Sequence, residues 1–195
     1  MSLGLLHIRN VLEPQLCAEI CEHMPAVAGR RAQVRQDGGL RVDEQVRRVT
    51  QKTPARDFAE SVSQALERVR PQIENAFGFE LSPPGVPRFL SYGRGDYFRK
   101  HLDTTGEGEA SAEIRSRVVS AVILLNDHRP DSPMAGYTGG RLVLYDVEGL
   151  SHRVVIEPET GLLVAFPSTT LHEVTRIRSG TRMSIVAWYH GDLER

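Results

Sequence analysis

SYGRGDYFRKHLD, residues 91–103, is the stretch on which the reading of this chain turns. His101 and Asp103 stand two residues apart. Side chains on an extended strand alternate between its faces, so an imidazole and a carboxylate at that spacing leave one face together and aim at one spot. A second histidine, His172, follows in PSTTLHEV, and an arginine, Arg182, in TRMSIVAWY. Two histidines and one carboxylate on one face of an open octahedron suit non-haem Fe(II), with positions left for a chelating cosubstrate and for dioxygen.

His-X-Asp alone is a weak signal, because so short a motif recurs by chance and an isolated histidine is more often a surface or core residue. Its surroundings strengthen it. Residues 161–167, GLLVAFP, form a continuous apolar run of the kind that makes a buried strand, and they lead to His172. Arg182 comes ten residues later, past a turn at Ser179 and Gly180, which predicts a place on the neighbouring strand. There it can lie near a metal without coordinating it and hold the far carboxylate of a dicarboxylic ligand in a bidentate, charge-assisted pair. Arg176 and Arg178 compete for that role. Glu173 alternates to the other face, and His7, His23, His128, His152 and His190 have no partner at ligand spacing.

Outward from this core, residues 88–189 break into short segments divided by glycine-rich turns: 88–92, 97–103, 117–126, 141–146, 152–157, 161–166, 172–178 and 181–189. Eight such strands read as a sandwich or jelly roll. The first half has a different texture. Pro14 opens a helix striped by Leu12, Leu16, Ile20 and Met24 and ended by Pro25. A longer helix is predicted over 57–77, with Phe58, Val62, Leu66, Val69, Ile73 and Phe77 on one face, Asp57 at its start and Gly78 as its stop. Pro71 should kink or split it. Between the helices, the arginine-rich residues 27–52 predict irregular chain or one or two edge strands, with Arg47 and Arg48 on a solvated face or at the mouth of a pocket. SPPGVP, residues 82–87, is a rigid connector, and the segments 104–116 and 127–138 are candidate lids over a substrate.

A length of 195 residues with 40% hydrophobic and 25% charged residues fits one soluble domain, 1–195, divided into a helical buttress with connector (1–87) and a β core (88–195). No apolar run approaches a membrane span, and MSLGLLHIRN does not resemble a signal peptide, so a cytoplasmic location is expected. The net charge of −1 argues against a nucleic-acid partner. Cys17 and Cys21, four apart, predict two reduced, half-buried thiols on one helix face. On the residues alone three classes stay open: a cosubstrate-dependent oxygenase, a cupin-type metalloprotein running another reaction from the same triad, and a sensing module without turnover.

The ordered set of motifs resembles the Fe(II)/2-oxoglutarate-dependent dioxygenases, most closely their prolyl 4-hydroxylase-like branch. Tyr92, Gly95 and Tyr97 ahead of HLD, LLN at Leu124 to Asn126, Gly139 and Gly140 ahead of RLVLYD, FPS at Phe166 to Ser168, HEV at His172 to Val174 and RMSIVAWY from Arg182 carry it, over about 105 residues. The resemblance implies a mainly β fold with N-terminal helices, a double-stranded β-helix of cupin-like jelly-roll form. It implies that His101, Asp103 and His172 bind Fe(2+), that Arg182 binds the remote carboxylate of 2-oxoglutarate, and that Tyr92 borders the cosubstrate; Trp188, on the same strand face as Arg182, Ser184 and Val186, is expected to pack against the cosubstrate pocket. Arginine at position 182, where collagen-type relatives carry lysine, points toward oxygen-sensing-like or bacterial members, and Asp103 argues against the halogenases. The implied reaction couples decarboxylation of 2-oxoglutarate to C–H hydroxylation by dioxygen, with ascorbate as an auxiliary reductant. The implied substrate is a small molecule, a peptide or a protein, and a prolyl residue is included among them.

Overall fold

The computed structural model describes residues 4–36, 39–104, 112–127, 136–146 and 152–191. In the first half of the chain lie β1 (Leu6–Ile8), α1 (Pro14–His23), β2 (Gly29–Arg31), β3 (Val34–Gln36), β4 (Gly39–Arg41), β5 (Arg47–Arg48), β6 (Thr50–Lys52) and α2 (Arg56–Phe77). The second half holds β7 (Arg88–Tyr92), β8 (Tyr97–His101), α3 (Ala112–Arg115), β9 (Arg117–Leu124), β10 (Thr138–Gly139) and β11 (Leu142–Tyr145). It closes with β12 (Arg153–Val155), β13 (Leu163–Pro167), β14 (Leu171–Val174), β15 (Ile177–Ser179) and β16 (Arg182–His190).

Two antiparallel sheets face each other, as the jelly-roll reading requires. The larger has the order β1-β13-β9-β16-β7-β6-β2 and the smaller β12-β11-β14-β8-β5. All eight residues of β9 are buried, because both faces of this strand are covered. Val119, Ala121 and Ile123 pack outward against Ile20, Met24, Leu66 and Ile73 of the two helices. Val122 and Leu124 point the other way and meet Leu142 and Leu144 of the smaller sheet. Strand alternation thus divides one continuous apolar run between two cores.

Helix α2 lies over the large sheet as one 22-residue element with Pro71 inside it, so the expected split does not occur. Val62, Leu66, Val69 and Ile73 are buried on both sides of the proline, and breaking the helix there would expose part of that stripe. One missing backbone bond is the smaller loss. The N-cap is Ala55, Asp57 lies in the first turn as its place at the helix start predicts, and Gly78 closes the helix at φ 72° as expected. Tyr189 of β16 ties helix to sheet by donating its hydroxyl to the Leu66 carbonyl at 2.8 Å. Cys17 and Cys21 are free and buried in this layer rather than half-exposed.

The arginine-rich segment departs furthest from expectation. It forms five short strands, and one of them, β6, is internal, pairing with β7 on one side and β2 on the other. β5 extends the small sheet beside β8, and β1 extends the large sheet beside β13. The first 87 residues are therefore more than a helical buttress: they complete both sheets. Residues 105–111 and 128–135, the bulk of the two candidate lids, lie outside the described residues, as does His128.

Leu66→Ala should lower the unfolding free energy by about 2–5 kcal/mol, as truncation of a fully buried leucine does when the cavity cannot collapse. Urea unfolding with an unchanged m-value is the measurement that checks it.

Candidate metal centre

β8 and β14 carry the two histidines side by side in the small sheet. His101 pairs with His172 and Phe98 with Val174, so three steps on β8 oppose two on β14. This bulge lets Phe98 and His101 face the same interior although they are three residues apart. Their rings stack with centroids 3.4 Å apart. β8 ends at His101, and Asp103 sits in a bend just beyond it. Strand alternation therefore does not place the carboxylate, as the spacing had predicted. Its backbone N–H, donated to the Ser168 carbonyl at 3.0 Å, anchors that turn against the end of β13.

The result is a convergent donor set. Nε2 of His101 lies 3.6 Å from Asp103 Oδ1, and Nε2 of His172 lies 3.5 Å from Oδ2. One ligand atom from each residue falls within 4.8 Å of the others. Each Nδ1 lies 2.8 Å from a carbonyl two residues earlier, that of Arg99 for His101 and of Thr170 for His172. A carbonyl only accepts, so in the neutral rings Nδ1 carries the proton and Nε2 turns its lone pair inward.

The protonation states agree with that geometry. Burial is the main influence on His172 and lowers its pKa to about 4, although the Asp103 carboxylate works to raise it. It is thus neutral at physiological pH, as a ligand must be. Burial alone would raise the Asp103 carboxyl. The two imidazoles and the Ser120 hydroxyl, which donates to Oδ2 at 2.7 Å, outweigh it and hold the group below the usual carboxylate range. Two imidazole nitrogens and one carboxylate oxygen sharing one focus fit a divalent ion that keeps open positions.

Arg182 approaches from the opposite sheet. The expected neighbouring strand is not where it lies: His172 is on β14 of the small sheet and Arg182 on β16 of the large one, with β15 and Gly180 (φ 71°) between them. Its guanidinium is buried, at 1% exposure. Nη1 donates to Ser184 Oγ at 2.8 Å, Tyr137 lies against it, and the Tyr92 ring centroid is 5.3 Å from Cζ. Nε and Nη2 have no hydrogen-bond partner among the described residues. A buried guanidinium without a carboxylate is unfavourable, and an anionic ligand would satisfy it. Two motif residues explain how it is held. Asn126 accepts from Met183 N–H at 2.9 Å and donates to the Thr181 carbonyl at 2.8 Å, clamping the start of β16. Gly140, at φ 59°, leaves no room for a Cβ, which would stand 2.2 Å from Ile177 Cδ1 and 3.1 Å from Arg182 Cδ.

One cavity of about 470 Å³ joins these groups, lined by His101, Asp103, His172, Arg182, Tyr92 and Trp188. Tyr92 is the direct cross-strand partner of Arg182. Trp188 is elsewhere: six residues along β16 carry it about 20 Å from Arg182. It stands between Arg88 and Arg117, with Cζ–centroid distances of 4.7 and 3.9 Å, at the far end of the cavity. Arg176 and Arg178 lie outside, the former over the Tyr97 ring. Glu173 turns away and accepts the Tyr145 hydroxyl. Ser120 was missed from the sequence, although a single serine in RVVSAVILL, two residues from inward-facing Val122, was the available sign.

A sequence model of the family described as "2OG-Fe(II) oxygenase superfamily" matches residues 87–190. A "PKHD-type hydroxylase" of Methylobacterium nodulans is 31% identical over 188 residues, covering 94% of this chain and 77% of that one. Among solved structures, a Pseudomonas putida prolyl-4-hydroxylase superposes with a TM-score of 0.72 at 23% identity, covering 98% of this chain and 94% of the other. A Trichoplax adhaerens prolyl hydroxylase, solved with a hypoxia inducible factor peptide fragment, gives 0.70 at 18% identity, covering 97% and 84%. These two structural likenesses concern the double-stranded β-helix fold.

Removing the hydroxyl that orients the carboxylate should weaken the centre without emptying it. Ser120→Ala is expected to raise the dissociation constant for Mn(II) about 10–100-fold, read by titration calorimetry.

Proposed function

The chain belongs to the 2OG-Fe(II) oxygenase superfamily, whose members use Fe(II) and 2-oxoglutarate, and from that premise we propose that it hydroxylates a prolyl residue in a peptide or protein. The observation that carries the reading is the sharing of one cavity by an open two-histidine, one-carboxylate centre and a buried guanidinium with unused donors. The names of the relatives, hydroxylases and prolyl hydroxylases, favour the prolyl substrate.

In this reading His101, Asp103 and His172 hold Fe(II), and Arg182 holds the remote carboxylate of 2-oxoglutarate. Bound there, the pair supplies the decarboxylation of 2-oxoglutarate to succinate and carbon dioxide, coupled to insertion of one atom of dioxygen into a substrate C–H bond. The protein contributes position and electrostatics. The Arg99 and Thr170 carbonyls fix both imidazole tautomers before any ligand arrives, and Ser120 fixes the carboxylate. Arg182 offers a planar fork that Tyr92, Ser184 and Gly140 keep in place, so little freedom is lost on pairing. Val122, Leu142, Val174 and Val186 give the cavity apolar wall that suits a pyrrolidine ring. Trp188, away from Arg182, belongs to the substrate end. A single catalytic domain, a cytoplasmic location and the absence of nucleic-acid or membrane partners are part of the same proposal. The net charge of −1 is consistent with it, and among the described residues no helix is long and apolar enough to cross a membrane.

Incubation with Fe(II), ascorbate, 2-oxoglutarate, dioxygen and a proline-containing peptide library should give succinate together with peptides carrying one added oxygen on a prolyl residue, located by fragmentation mass spectrometry. Oxygen found only on other residues would overturn the prolyl assignment.

A further inference from the structure

The Trp188 end of the cavity holds more positive charge than the proposed reaction uses. Arg47, Arg88 and Arg117 all line it, on β5, β7 and β9. Two of them lie against Trp188, and Arg47 lies over the Phe98 ring at 4.5 Å. Arg117 is buried, with Nε lacking any partner among the described residues, and Nε of Arg47 is buried in the same state. Carboxylates nearby are few. Glu113 reaches Arg117 at 3.5 Å from a side chain that is 67% exposed, and Asp103 is turned to the two histidines, offering Arg117 only its backbone carbonyl at 3.3 Å. No carboxylate among the described residues forms an ion pair with Arg47 or Arg88. Burial and mutual repulsion act together on Arg88, lowering its pKa, with Arg117 and then Arg47 as the repelling charges.

Two guanidiniums against one indole and a third over Phe98 in the same cavity, partly desolvated and with both others repelling Arg88, make a site that gains from an anion. Aromatic faces hold the planar groups in place; Nη1 of Arg47 donates to the Gln33 carbonyl at 3.3 Å, while Nε of Arg47 and Nε of Arg117 are left for a planar partner. Resting on the prolyl-hydroxylase reading, we propose that Arg47, Arg88 and Arg117, with Trp188, form a carboxylate-recognition subsite that selects substrates bearing a carboxylate close to the hydroxylated residue. In a peptide that group is either an acidic side chain next to the proline or the C-terminal carboxylate.

Trp188 is the one tryptophan of the chain, so its fluorescence reports occupancy of this subsite independently of turnover. The experiment titrates the Fe(II)- and 2-oxoglutarate-loaded enzyme, without oxygen, with four short prolyl peptides. Two are amide-capped, with glutamate or glutamine beside the proline, and two end at the proline as the free acid or as the amide. Succinate release from each peptide is then measured in air. Binding of the glutamate peptide, the free-acid peptide or both at least about tenfold tighter than the neutral counterpart is expected, and which pair differs identifies the source of the carboxylate. Arg88→Gln should abolish the difference and Arg88→Lys should restore part of it. Equal fluorescence affinities for charged and neutral peptides would overturn the subsite, as would a preference that survives both Arg88→Gln and Arg47→Gln. Charge-selective quenching without hydroxylation of any prolyl peptide would uphold the subsite and remove the prolyl substrate instead.

Discussion

An ionised carboxylate and a guanidinium with two donors unused among the described residues line one buried cavity here, and the rest of the fold depends on keeping them there. Neither would stay without support, because burying charge is costly unless partners are supplied. Asp103 accepts from the Ser120 hydroxyl and faces the two imidazoles with which it would share a cation. Arg182 uses Nη1 on Ser184, and among the described residues Nε and Nη2 have no partner, so they await a ligand. The jelly roll serves this arrangement by presenting the two charges from opposite sheets. The gap between the sheets then becomes the reaction chamber.

Rigidity comes from the large sheet. Its central strands, β9 and β16, are covered by helices on one side and by the cavity wall on the other, so residues that point inward cannot shift without disturbing the outer core. Outward-facing Tyr189 is pinned to α2, and its neighbour Trp188 points the opposite way into the cavity. Helices α1 and α2 buttress the chemistry through a chain of packed side chains, although among the described residues neither lines the cavity.

Much of this was legible in the sequence, and the parts that were not have physical reasons. His101, Asp103, His172 and Arg182 stand out because chemistry restricts their residue types, and the apolar run before His172 announced a buried strand. The helices were legible from period and from Gly78. Three-dimensional closure was not legible. A bulge in β8 changes which residues share a face, and the bend after His101 replaces the strand on which the His-X-Asp argument relied. The turn at Gly180 reads as a hairpin, yet it joins β15, which pairs with β10 in a small separate ladder, to β16 of the large sheet. Arginines in residues 27–52 read first as solvent-facing charge, with the mouth of a pocket as the alternative for Arg47 and Arg48, and Arg47 takes the alternative, over Phe98 in the cavity lining. Arg88 and Arg117 sit at strand starts, and only the pairing of β7 and β9 with β16 brings them to Trp188.

The central claim is that His101, Asp103 and His172 form an iron centre whose cosubstrate is anchored by Arg182. It is tested most directly by titrating the Fe(II)-loaded protein with 2-oxoglutarate in the absence of oxygen and following the weak visible charge-transfer band of a keto-acid chelate. The account predicts a band that saturates, disappears in Asp103→Ala, and in Arg182→Gln needs about 10- to 150-fold more 2-oxoglutarate, the cost of losing a charged hydrogen bond of roughly 1.5–3 kcal/mol. Iron bound with no band, or a band unchanged in both variants, would contradict it.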